Sequence, residues 1–172
     1  MHNVNVERLT ATADQVVTDP SAALMSVHLE GGWNVGSDDV QFSGEVPFPM
    51  GSVTFDADFP EFLGGQGRAP AALAYCFYGA MCCYGATFAT QAAMAGVQID
   101  SMTISLDLDV DFRAALGMGD FPPMSEFKFQ LQVDSPASGD DLDRVKQVTD
   151  ERCPAIWAMN NPVPHNVTII KA

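Results

Sequence analysis

Basic residues are scarce in this chain: 8 Lys and Arg stand against 22 Asp and Glu, a formal net charge of −14 over 172 residues. So acidic a surface repels polyanions at long range, which argues against DNA, RNA and anionic membrane surfaces as partners. Cysteine is also sparse. Four in the chain are too few for the disulfide scaffold of a small secreted domain, and the adjacent Cys82 and Cys83 make an awkward staple. Free or redox-active thiols fit better. The histidines, His2, His28 and His165, are scattered, and no CxxC or HxxxH spacing occurs, so no metal site is expected. The N-terminus has no basic segment followed by an apolar stretch, and the main apolar run is broken by Gly79, Gly85, Thr87, Thr90 and Gln91. The sequence therefore predicts neither signal peptide nor membrane span, and a soluble, cytoplasmic protein without cofactor is the expectation.

What is present is apolar material, 47% of the residues, enough for one sizeable core, and the length fits a single domain over 1–172 with 1–20 as an N-terminal extension. VVTDPSAAL predicts a short turn or helix. SVHLEGG and WNVGSD predict two strand pieces bent at Gly31 and Gly32, and VQFSGEV a further short strand. In GSVTFDADF, Val53, Phe55, Ala57 and Phe59 alternate with Thr54, Asp56 and Asp58, the pattern of a half-buried antiparallel strand. GGQGRAP is a glycine-rich connector that matches no nucleotide-binding spacing. From about Ala71 to Ala95 the chain predicts a helix apolar on every side, ended by Gly96. VQIDSMTISLDLDVDF then reads as a long strand with a bend near Asp100, its Met102, Ile104, Leu106, Leu108 and Val110 opposite a wet face of Thr103, Ser105 and Asp107. EFKFQLQV predicts another strand. DLDRVKQVTDERC predicts an amphipathic helix with Leu142, Val145 and Val148 inward, and HNVTIIK a closing strand. The sum is an α+β domain whose apolar helix is too greasy for one sheet to cover, which points to a second subunit.

Three cysteines lie in LAYCFYGAMCCYGATF. Cys76 and Cys83, seven residues apart, fall on nearly one helix face, whereas Cys82 points about 100 degrees away from Cys83. They do not converge. Cys153, between Arg152 and Pro154, is separate, and two thiols in one pocket can carry a two-electron cycle of sulfenic acid and disulfide. Buried cysteine also serves as a small hydrophobe, and spacing alone leaves both roles open.

The stretch from DADFPEFLGGQGRAP through the cysteine-bearing helix to LDLDVD, then FRAALGMGD and TDERCPAIWAMNNPVPHNVTI, resembles the OsmC/Ohr family of osmotically inducible and organic hydroperoxide resistance proteins over roughly residues 50–172. The resemblance implies an OsmC-like fold, with curved antiparallel sheets around a buried central helix, in an intertwined homodimer. It assigns Cys83 as peroxidatic thiol and Cys153 as resolving thiol, with an organic hydroperoxide as substrate and a dithiol as reductant. It further implies an apolar pocket including Cys76, Phe77, Tyr78, Cys82, Phe88, Trp157 and Met159. The family's activating arginine is missing from residues 26–53, and Ala74 stands where its orienting glutamate would be. Arg68 or Arg152, oriented by Glu61 or Glu151, are the candidates to supply that charge. The alternative implied by these departures is a non-catalytic, stress-associated OsmC-like homodimer that binds a small apolar ligand.

Overall fold

The computed structural model describes residues 1–36 and 38–171, which form two compact units, one of residues 7–79 and one of residues 1–6 with 80–172.

The first unit carries most of helix α1 (Val6–Thr18) and an antiparallel sheet of β1 (Glu30–Trp33), β2 (Phe42–Phe48) and β3 (Gly51–Ala57) in the order β1-β2-β3. Gly31 and Gly32 do not bend the chain as the sequence suggested. They lie inside β1, paired with Gly44 and Ser43, where the lack of a side chain lets Gly31 sit against Phe42: a Cβ there would fall 2.5 Å from that ring. The glycine-rich connector is held from within. The buried Asp58 carboxylate accepts from the Gln66 and Arg68 amides, and Gln41 accepts from the Phe59 amide while donating to the Gly64 carbonyl. Helix α2 (Ala72–Ala95) begins in this unit and ends in the other.

The second unit pairs β4 (Ser101–Asp107) with β5 (Lys128–Asp134), antiparallel in the register Ile104 to Leu131, and adds α3 (Gly139–Arg152) and α4 (Pro154–Asn160). The alternation read from both strands holds, with Met102, Ile104, Leu106, Phe129, Leu131 and Val133 half-buried and the intervening residues exposed. The long strand expected over residues 97–112 is shorter. The chain bends at Asp100, and beyond Asp107 pairing continues only as an isolated bridge from Val110 to Met124, because β5 begins at Lys128. The core gathers Phe88 and Ala92 of α2 with Val145 of α3, and Val97, Ile99, Met102, Leu131, Val133 and Leu142 pack around them.

Two expectations about helices and ends are modified. α2 is buried from Ala80 onward, at Ala80, Tyr84, Gly85, Phe88, Ala92 and Ala93, and not before it. By length and composition alone it is apolar enough to cross a membrane, as the core helices of soluble proteins also are. Residues 162–171 form no strand; Val167, Ile169 and Ile170 are exposed, without a ladder partner among the described residues.

Candidate functional site

The second unit brings Cys83 and Cys153 together. Cys83 sits midway along α2, one residue before Tyr84, which turns into the core together with Ala80 and Phe88 at four-residue spacing. Its own side chain is at the edge of that face and is half-buried. Cys153 joins two helices. Ser138 opens α3 by accepting from the Asp141 amide, and Pro154, which cannot continue a helix, stops it after Arg152 and starts α4. The Cys153 amide closes α3 on the Thr149 carbonyl, and its own carbonyl accepts from Trp157 in α4. Its backbone is thereby pinned on both sides, and its side chain is wholly buried.

The Cys153 thiol lies 3.7 Å from the Cys83 sulfur. Both are free thiols, their sulfurs about a van der Waals contact apart. Burial pushes the Cys83 thiol above its ordinary value. The Ala155 amide opposes that shift, Cys153 adds to it, and the Thr87 hydroxyl opposes it again.

The remaining residues expected at the site are spread out. Cys76 and Cys82 are exposed on α2. Phe77 is half-buried there, and Tyr78 lines a cavity of about 470 Å³ in the first unit with Phe42, Phe55 and Tyr75. Trp157 is exposed and Met159 half-buried on α4. The Arg68 guanidinium donates to the Asp39 carbonyl at 3.4 Å, and that of Arg152 donates to Gln91 Oε1 at 3.1 Å. Of the candidate orienting acids, Glu61 opens a short turn after Pro60, and Glu151 accepts from Gln147 at 3.4 Å.

Phe88 lines a second cavity, about 530 Å³, in the same unit as the thiol pair. Phe129 and Leu131 supply apolar wall, while Tyr84, Lys146 and Asp150 supply its polar side. Tyr84 follows Cys83 in the chain, and Ile156, three residues after Cys153, also lines this space. The sequence reading missed Tyr84, Lys146 and Asp150. The signals were a tyrosine on a buried helix face, whose hydroxyl needs a partner, and a Lys and an Asp one helical turn apart.

An α+β chain with small antiparallel sheets, a central helix bearing one member of a thiol pair and a helix junction presenting the other belongs to a definite class. Residues 65–168 match the family described as OsmC-like protein, and the chain is a member of that family. Its fold is shared with an OsmC-like protein from Mycoplasma pneumoniae at 17% identity and a TM-score of 0.61, covering 80% of this chain and 89% of that one. It is also similar to an organic hydroperoxide resistance protein from Elizabethkingia anophelis, at 16% identity and a TM-score of 0.51, covering 80% and 91%. An organic hydroperoxide resistance protein OsmC from Legionella pneumophila gives 15% identity and a TM-score of 0.50, covering 79% and 91%. No curated protein matches the sequence.

Proposed function

We propose that this chain reduces organic hydroperoxides through the Cys83 and Cys153 pair. The observation that carries the reading is the 3.7 Å approach of a half-buried thiol to a wholly buried one. The more open sulfur meets substrate, and the enclosed one resolves. The Cys83 thiolate attacks the terminal peroxide oxygen, the O–O bond breaks, and the departing alkoxide takes a proton to leave as alcohol. Cys83 is then a sulfenic acid. The Cys153 sulfur attacks it and releases water, forming the disulfide, and an external dithiol regenerates both thiols by exchange. The Elizabethkingia and Legionella proteins of the same fold are named for organic hydroperoxide resistance, which supports the choice of substrate class.

We place the organic group of the substrate in the 530 Å³ cavity, which neither sulfur lines but whose wall includes Tyr84 and Ile156, chain neighbours of the two thiols. Phe88, Phe129 and Leu131 offer apolar contact to an alkyl or aryl group, and hydrogen peroxide gains nothing from them. The working form is a homodimer of single-domain subunits in the cytoplasm. Apolar side chains exposed on β1 to β3, among them Trp33, Phe48 and Val53, and Tyr78 on α2 give a second copy something to cover.

The elevated proton affinity of Cys83 favours a second reading, in which the protein is a non-catalytic homodimer holding a small apolar ligand. Consumption of cumene hydroperoxide and of hydrogen peroxide in excess dithiothreitol, by wild type and Cys83→Ser, separates the two. Faster loss of the organic peroxide, abolished in the variant, supports the peroxidase. Equal background rates leave the binding protein.

A further inference from the structure

The helices that carry the two thiols are joined beside them by a bridge of side chains. Tyr84 follows Cys83, and Asp150 precedes Cys153 by three residues, so each end of the bridge lies within one turn of a sulfur. The Tyr84 hydroxyl donates to Asp150 Oδ1 at 2.7 Å, from a residue only 5% exposed. Lys146 Nζ, one turn earlier on α3, holds Asp150 Oδ2 at 2.6 Å. The carboxylate is thus fixed from two sides. The Tyr84 ring packs against Phe129 of β5 with centroids 5.6 Å apart, which sets the direction of the hydroxyl. Burial and the adjacent carboxylate keep that phenol protonated, so it remains a donor.

We propose that the Tyr84–Asp150 hydrogen bond, braced by Lys146, is the positioning device that keeps Cys83 and Cys153 within bonding reach and thereby sets the equilibrium between their dithiol and disulfide forms. The inference rests on the thiol-pair reading above. Tyr84 and Asp150 are positioning residues and exchange no electrons. The effective concentration of one thiol at the other depends on how little α2 and α3 slide past each other. A charge-assisted hydrogen bond from a buried ring restricts that sliding next to the sulfurs. The second side-chain bridge between these helices, Arg152 to Gln91, starts beside Cys153 but reaches α2 two turns beyond Tyr84, and it is exposed, so water weakens it.

A glutathione redox titration of the full chain tests this. The exchange converts the disulfide and two glutathione thiols into the dithiol and one glutathione disulfide, and mass spectrometry of acid-quenched samples reads the Cys83–Cys153 fraction. Tyr84→Phe and Asp150→Ala are expected to shift the equilibrium about tenfold toward the dithiol. Asp150→Asn, whose amide oxygen still accepts from the phenol, should stay within about threefold of wild type. Gln91→Ala should match wild type. Circular dichroism checks folding, and the contrast of Asp150→Asn with Asp150→Ala decides the matter should Tyr84→Phe not fold. The proposal is overturned by equal equilibria in Tyr84→Phe and wild type, by equal values for the two Asp150 variants, by an equal shift in Gln91→Ala, or by a wild type that forms no Cys83–Cys153 disulfide. A wild type that forms the disulfide with glutathione yet consumes no hydroperoxide overturns the peroxidase reading and leaves the positioning role standing.

Discussion

The sulfur of Cys153, wholly enclosed at the junction of α3 and α4, lies 3.7 Å from that of Cys83, which is partly open on α2. Under the proposed thiol-pair chemistry this inequality of exposure sets an expected order of events: a small electrophile meets Cys83 first, and Cys153 reacts with what Cys83 has become.

Alkylation of the reduced protein should therefore proceed in sequence. Exposed Cys76 and Cys82 react first, Cys83 more slowly, and Cys153 only as the protein unfolds. Timed N-ethylmaleimide labelling followed by peptide mapping checks this. Labelling of Cys153 as fast as Cys82 would contradict the burial described here.

Because burial raises the Cys83 proton affinity, its alkylation rate should keep rising with pH beyond the range where an ordinary thiol has levelled off. A rate profile that levels at or below the value of an unfolded cysteine peptide would show a cation at the sulfur instead.

The same direction of shift has a consequence for stability. Tyr84 keeps its proton in the folded state, through burial first and Asp150 second, at a pH where the unfolded chain has lost it. Its contribution is present in full below the ordinary tyrosine value and declines as pH climbs from there through the folded value. Urea melts between neutral pH and pH about 11, spanning the ordinary tyrosine value near 10, should fall less steeply with pH in Tyr84→Phe than in wild type. Parallel slopes would remove Tyr84 as the source.

Two substitutions compare packing with backbone strain. Phe88→Ala empties the centre of the core, where Phe88 is 3% exposed, and should cost about 3–5 kcal/mol. Gly96→Ala places a side chain on a backbone with φ of +69°, with nothing nearby to clash, and should cost only about 1–2 kcal/mol. Chemical denaturation ranks them, and a larger loss for Gly96→Ala would contradict the assigned core.

Sedimentation at micromolar concentration should show about twice the 18.4 kDa chain mass. A folded monomer would remove the proposed assembly.

Much of this was legible in the sequence because periodicity reports burial directly. The alternation from Met102 to Leu106 and from Phe129 to Val133, the stop at Gly96 and the inward Val145 all follow from local pattern. The limits of β4 did not, since a strand ends where its partner ends, and β5 begins only at Lys128. HNVTIIK shows the same limit: it alternates like a strand yet has no ladder among the described residues. At the site, helical spacing separated Cys82 from Cys83, but the meeting with Cys153 came from family resemblance, because a contact across 70 residues leaves no local trace. The partnership of Tyr84 with Asp150, 66 residues apart, was invisible for the same reason.

The central claim is tested most directly by intact mass spectrometry after one equivalent of cumene hydroperoxide, applied to wild type, Cys83→Ser and Cys153→Ser. The account predicts loss of two hydrogens in wild type, none in either variant, and one added oxygen or its trapped adduct in Cys153→Ser. An unchanged wild-type mass, with all four cysteines still titratable as thiols after denaturation, would contradict it.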